Sequence, residues 1–133
     1  LLEGWWAVRG GSVTVADGAM VFTATGGLAT IACTGLPRVK GSVTLRMRFR
    51  STASGPVNAY WNNPGEGSFK PERAVPVPVA HDGEWHEVEV TLPVVGELNG
   101  VRIDPCKAEG RVEIDWIRLT DAEGKPIRSW EFE

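Results

Sequence analysis

Nearly every segment of the chain alternates apolar and polar residues with a period of two, which leaves room for little except β-structure. In "SVTLRMRFR", Val43, Leu45, Met47 and Phe49 fall on one face and Arg46, Arg48 and Arg50 on the other. In "WHEVEVTL", Val88, Val90 and Leu92 oppose Glu87 and Glu89. "RVEIDWIRL" sets Val112, Ile114 and Trp116 against Glu113 and Asp115, so phase assigns Trp116 to the core. Ile117 and Leu119 then follow in the opposite phase, which predicts a bulge near Trp116. Shorter runs ("SVTVAD", "AMVFTAT", "LATIACT", "AVPVPVA", "NGVRID") are separated by Asp-Gly, Gly-Gly and similar turns. Pro76 and Pro78 confine "AVPVPVA" to a sheet edge, because proline donates nothing to a central ladder. No window carries the apolar period of a helix. The expected fold is all-β, a two-sheet antiparallel β-sandwich without a helix beyond about two turns.

At 133 residues the chain reads as one domain, 1–133, large enough to bury its own core. It opens abruptly at "LLEGWW" and reads as a piece of a longer protein. A net charge of −3 argues against nucleic acid as a partner, and no apolar run approaches the ~20 residues that span a membrane. Cys33 and Cys106 are too few for a disulfide framework and lack metal-ligand spacing. One bridge is open to them, but two buried thiols acting as small hydrophobes is the favoured reading. The final run "IRSWEFE" is one more strand, expected to close the sandwich beside the N-terminus rather than to begin a following module.

Catalytic constellations are scarce. Glu87 and Glu89 lie about 7 Å apart on one strand face, near the spacing of glycosidase carboxylates. Beside an alternating arginine strand they fit cross-strand ion pairs better, as do Glu113 and Asp115. His81 and His86 lack the spacing of a zinc-binding helix, and neither a nucleophile elbow nor a glycine-rich phosphate loop is present. The expectation is that the protein is not an enzyme. Arg46, Arg48 and Arg50 admit two readings: charge pairing with the glutamate strand, or a basic strip for an acidic polysaccharide.

Six tryptophans against one tyrosine point to a particular use for indole. Trp5 and Trp6 are adjacent, as are Tyr60 and Trp61, so on extended chain one ring of each pair faces out. The second pair opens "AYWNNPGEGSF", where Asn62 and Asn63 supply amides and proline and glycine mark a turn. A ring beside amides suits a sugar, whose C–H face stacks while its hydroxyls hydrogen-bond. A plug at the edge of the core is the competing use. The expected platform is Trp61, or failing it Tyr60, with Asn62 and Asn63 on the hydroxyls and Trp6 and Arg48 as further candidates.

"DGEWHEVEVTLP" followed by "GELNGVRIDPCKAEGRVEIDWIRL" resembles the C-terminal half of galactose-binding-like jelly-roll modules, and "EGWW" and "AYWNN" extend the resemblance over most of the chain. Such modules accompany bacterial glycoside hydrolases, polysaccharide lyases and sulfatases. The resemblance implies a non-catalytic carbohydrate-binding module, monomeric, extracellular or periplasmic, tethered to a catalytic domain and binding a polysaccharide or oligosaccharide. A structural spacer without a ligand is the alternative; it would bury or cover every indole. The resemblance also implies one structural calcium ion near the chain ends, for which Glu3 and Asp115 are the matching positions, and no catalytic cofactor. The Arg102–Pro105 turn is expected to serve architecture, with a glycan contact by Arg102 as the weaker option.

Overall fold

The alternating segments become eleven strands in the computed structural model, which describes residues 1–133. The front sheet runs β1 (Trp6–Arg9), β4 (Thr30–Cys33), β9 (Gly100–Asp104), β6 (Asn58–Asn62) and β7 (Val75–Pro76). The back sheet runs β2 (Gly11–Ala16), β3 (Ala19–Ala24), β10 (Gly110–Thr120), β5 (Val43–Ser51) and β8 (His86–Leu92). The last strand, β11 (Pro126–Trp130), also pairs with β10. Every pairing between strands is antiparallel, and the one helical element is a 3₁₀ turn at Pro71–Arg73. The all-β sandwich expected from the alternation is the fold. Pro76 sits, as its missing N–H requires, on the edge strand β7.

Between the sheets lies one apolar cluster that includes Trp5, Trp61, Trp130, Phe22, Phe49 and Phe132. Each large side chain removed from water there contributes about 1.5–3 kcal/mol before ordering costs are counted. Cys33 and Cys106 are both buried free thiols, and burial raises the pKa of each.

The C-terminal segment belongs to the sandwich, but its backbone partner is the preceding strand. Trp130 pairs with Ile117 and Arg128 with Leu119 in a β10–β11 hairpin, while β3 holds the other half of β10. The N-terminus is met by side chains instead. The Trp130 indole donates to the Glu3 carbonyl at 3.0 Å, and the Phe132 N–H donates to a Glu3 carboxylate oxygen at 2.8 Å. Trp5 meets Trp130 edge-on, ring centres 5.3 Å apart.

The bulge in β10 is present, and it reverses the assignment of Trp116. The register slips between Ile114, opposite Phe49, and Trp116, opposite the outward Arg48. Asp115 is thus the extra residue, so the phase changes before Trp116 rather than after it. Trp116 lies on the outer face of the back sheet, covered by the Arg118 guanidinium 3.8 Å above its ring.

Candidate functional site: a groove on the front sheet

One row of paired residues crosses the outer face of the front sheet: Trp6, Ala32, Arg102 and Tyr60, on β1, β4, β9 and β6 in turn. Alternation puts all four on the same side. The small Ala32 between an indole and a guanidinium leaves a dip, and the neighbouring Thr30 continues it. From the opposite side the loop between β6 and β7 folds over the sheet and brings Gly67, Ser68, Phe69 and Pro71 to the same space. The result is a groove of about 470 Å³ between the β1 edge and this loop.

Trp6 is 43% exposed at one wall, and Val8 and Arg9 extend that wall. Strict alternation would point Arg9 inward with Ala7, into an apolar core. A bulge prevents this: Ala7 pairs with Ile31 and Arg9 with Thr30, so Val8 is the extra residue. Trp6, Val8 and Arg9 therefore all reach the groove, and the Arg9 Nε–H donates to the Thr30 hydroxyl at 3.4 Å.

Arg102 is held rigidly. Its Nε–H and one Nη–H donate to the two carboxylate oxygens of Asp104 at 2.8 and 2.9 Å, and its guanidinium lies 4.2 Å over the Tyr60 ring. Asp104 is 1% exposed. Burial pushes its pKa up, but the hydrogen bonds and charge of Arg102, with Lys107 and the Thr30 hydroxyl, outweigh that and hold it below the ordinary range. Burial and the Asp104 charge raise Tyr60 in turn. The "RIDP" turn thus serves architecture while leaving Arg102 in the groove lining.

The loop wall is fastened at its root. The Glu66 carboxylate accepts from Arg73 at 2.6 Å, from the Asn63 backbone N–H at 2.6 Å and from Lys70 at 3.1 Å. These partners, Arg73 first, hold its pKa at about 2. Asn63 in turn donates its side-chain amide to the carbonyls of Val95 and Glu97 at 2.8 and 2.7 Å.

Several residues expected at a sugar site do other work. Trp61 is 5% exposed and belongs to the core cluster, one position out of phase with Tyr60, with Arg73 4.0 Å from its ring on the other side. It is the core plug, not the outward ring. Tyr60 does face outward, but Arg102 covers it. Asn62 is buried and receives the Asn99 amide at 3.2 Å, and Asn63 is spent on the loop root. Of the expected rings only Trp6 lines the groove.

Arg48 lies on the opposite face of the molecule, in an ion pair with Asp115 at 3.0 Å. Arg50 pairs with Glu113 at 2.8 Å and Arg46 with Glu89 at 3.5 Å, so the arginine strand is charge-paired as β-ladder geometry favours. Trp85 lies under Arg48 and Arg50, 4.6 and 4.4 Å from their guanidinium carbons. Of the two positions matched to a structural calcium, Glu3 accepts the Phe132 N–H at 2.8 Å and Asp115 pairs with Arg48 at 3.0 Å. No group of three or more histidine, cysteine or acidic side chains could hold a metal ion.

Ser51 and His81 approach to 2.6 Å, a contact with the look of a nucleophile and base. The far imidazole nitrogen is 2.7 Å from the Gly55 carbonyl, and the Ser51 hydroxyl accepts the Ala53 N–H. Ser51 is buried, so the pair braces the β5–β6 loop.

Arg9, Thr30, Ala32 and Phe69 were not singled out from sequence. One signal was readable: "WAVR" in strict alternation would put an arginine among core positions, and a charge in core phase marks a bulge.

No family model matches the chain, and no curated protein matches its sequence. Its fold does have solved counterparts. A variant of a family 29 carbohydrate-binding module superposes with a TM-score of 0.63 at 14% identity, over 84% of this chain and 78% of that one. The carbohydrate-binding module of PbXyn10C gives 0.63 at 15% identity, over 88% and 76%. The C-terminal family 6 module of LamC, a marine laminarinase from Zobellia galactanivorans, gives 0.61 at 14% identity, over 90% and 95%. The fold of this chain is the β-sandwich of carbohydrate-binding modules attached to glycoside hydrolases, as the sequence resemblance implied.

Proposed function

We propose that the chain is a non-catalytic module that binds a polysaccharide or oligosaccharide in the front-sheet groove and holds a tethered enzyme on its substrate. The observation that carries this reading is Trp6. Trp5, Trp61, Trp116 and Trp130 are buried, Trp85 is covered by arginines, and Trp6 alone stands 43% exposed, in the wall of the groove. A spacer with no ligand would cover this indole as well. Trp6 offers a face for sugar C–H groups, with Ser68 and the free N–H groups of Arg9 and Arg102 placed to meet hydroxyls. The ring has two torsions to order on binding, so little is lost in fixing it.

The fold supports the same reading, since its counterparts are carbohydrate-binding modules of polysaccharide-degrading enzymes. An extracellular or periplasmic setting and a monomeric state go with it. The test is native electrophoresis through gels containing a panel of plant and algal polysaccharides. Retardation by at least one glycan, with no reducing sugar released from it, is the expected result. Unhindered migration through every gel, or release of reducing sugar by the purified protein, would overturn the proposal.

A further inference from the structure

The groove is cationic on a chain whose net charge is −3. Its lining contains two arginines and no carboxylate side chain. Four of the ion pairs elsewhere commit Arg46, Arg48, Arg50 and Arg73 to acidic partners, whereas Arg9 pairs with none. Its one side-chain hydrogen bond, through Nε–H to Thr30, leaves all four Nη–H donors unused. Arg102 differs in kind: Asp104 neutralises it and fixes it in place, and Lys107 lies 3.5 Å from the same carboxylate. The β1 bulge is what turns Arg9 out of core phase and beside Trp6. A stacking ring and an uncommitted guanidinium fork are thus neighbours on one wall.

We propose that the groove selects glycans bearing an anionic substituent, with Arg9 as the residue that receives the oxyanion while Trp6 stacks on the sugar ring. The inference rests on the reading of the groove as a glycan site. A carboxylate on the ring or a sulfate ester presents a pair of oxygens on one carbon or sulfur, which the paired N–H groups of a guanidinium match. The nearest carboxylate, Asp104, is buried and tied to Arg102, so the approaching anion meets no free like charge, and the held pair supplies further N–H donors without adding net charge.

The experiment titrates the protein with alginate, polygalacturonate and glucuronoxylan, each beside its carboxyl-reduced form, and with dextran sulfate beside dextran. Tighter binding of a charged polymer than of its uncharged counterpart is expected, weakening as salt rises. The arms identify which substituent is read. Arg9→Gln should lose about tenfold in affinity for the charged polymer, and with it the preference over the neutral one. Arg38→Gln, which removes the same charge outside the groove lining, should change neither. Equal binding of charged and reduced polymers, or an Arg9→Gln variant that keeps its preference, would overturn the inference while leaving the glycan site standing. Binding of no polymer at all would overturn both.

Discussion

Trp6 and Trp61 carry the same side chain and lie on strands of the same sheet, yet the parity of a strand assigns them opposite fates. Trp61 fills the space between the sheets, and Arg73 closes over its ring. Removing a buried indole costs about 3–5 kcal/mol, from the lost transfer of its atoms out of water together with the cavity left behind. Trp61→Ala is therefore expected to lower the melting temperature by roughly 10 °C or more, read by thermal unfolding. Tyr60, one residue earlier, shows how a residue can face outward and still be unavailable, because Arg102 lies over it. From "AYWNN" alone the pair could be split into one inward and one outward ring. Which ring took which side depends on β6 pairing with β9 in the register Tyr60–Arg102, and that is a long-range fact.

The strands were readable because each carries its own alternation, and the proline of β7 identified an edge. Bulges were harder. In β10 the phase change was visible, but an inserted residue can sit on either side of Trp116, and the sequence pattern does not say which. In β1 a single arginine in core phase was the only trace of the slip that builds one wall of the groove. The β6–β7 loop supplies the other wall and depends on Glu66. Its folded-state pKa of about 2 lies below the ordinary value of 4.5, so the stability it contributes is fully present above about pH 4.5 and is lost as pH falls toward 2. Melting temperatures measured across that window should fall for the parent protein and fall less steeply for Glu66→Gln, which should also melt lower at neutral pH. Parallel curves would show that Glu66 does not fasten the loop.

At the scale of the whole molecule the two outer faces differ in kind. The back sheet is zipped by Arg46–Glu89, Arg48–Asp115, Arg50–Glu113 and Arg118–Glu131, and arginines cover both of its outward indoles. Surface pairs of this sort contribute little each, but they commit these arginines to protein partners rather than to a ligand. Arg48→Ala should accordingly leave glycan retention unchanged in affinity gels. The front sheet keeps its indole bare and its groove open. A sugar ring stacked on one aromatic face contributes on the order of 1–3 kcal/mol, by analogy with base stacking. The most direct measurement is titration calorimetry of Trp6→Ala against the glycan that retards the parent protein, paired with its melting curve. The groove account predicts a ten- to hundredfold loss of affinity, or about 1.4–2.7 kcal/mol, with the melting temperature within about 3 °C of the parent. Undiminished affinity in Trp6→Ala would contradict it and move the binding face away from the front sheet.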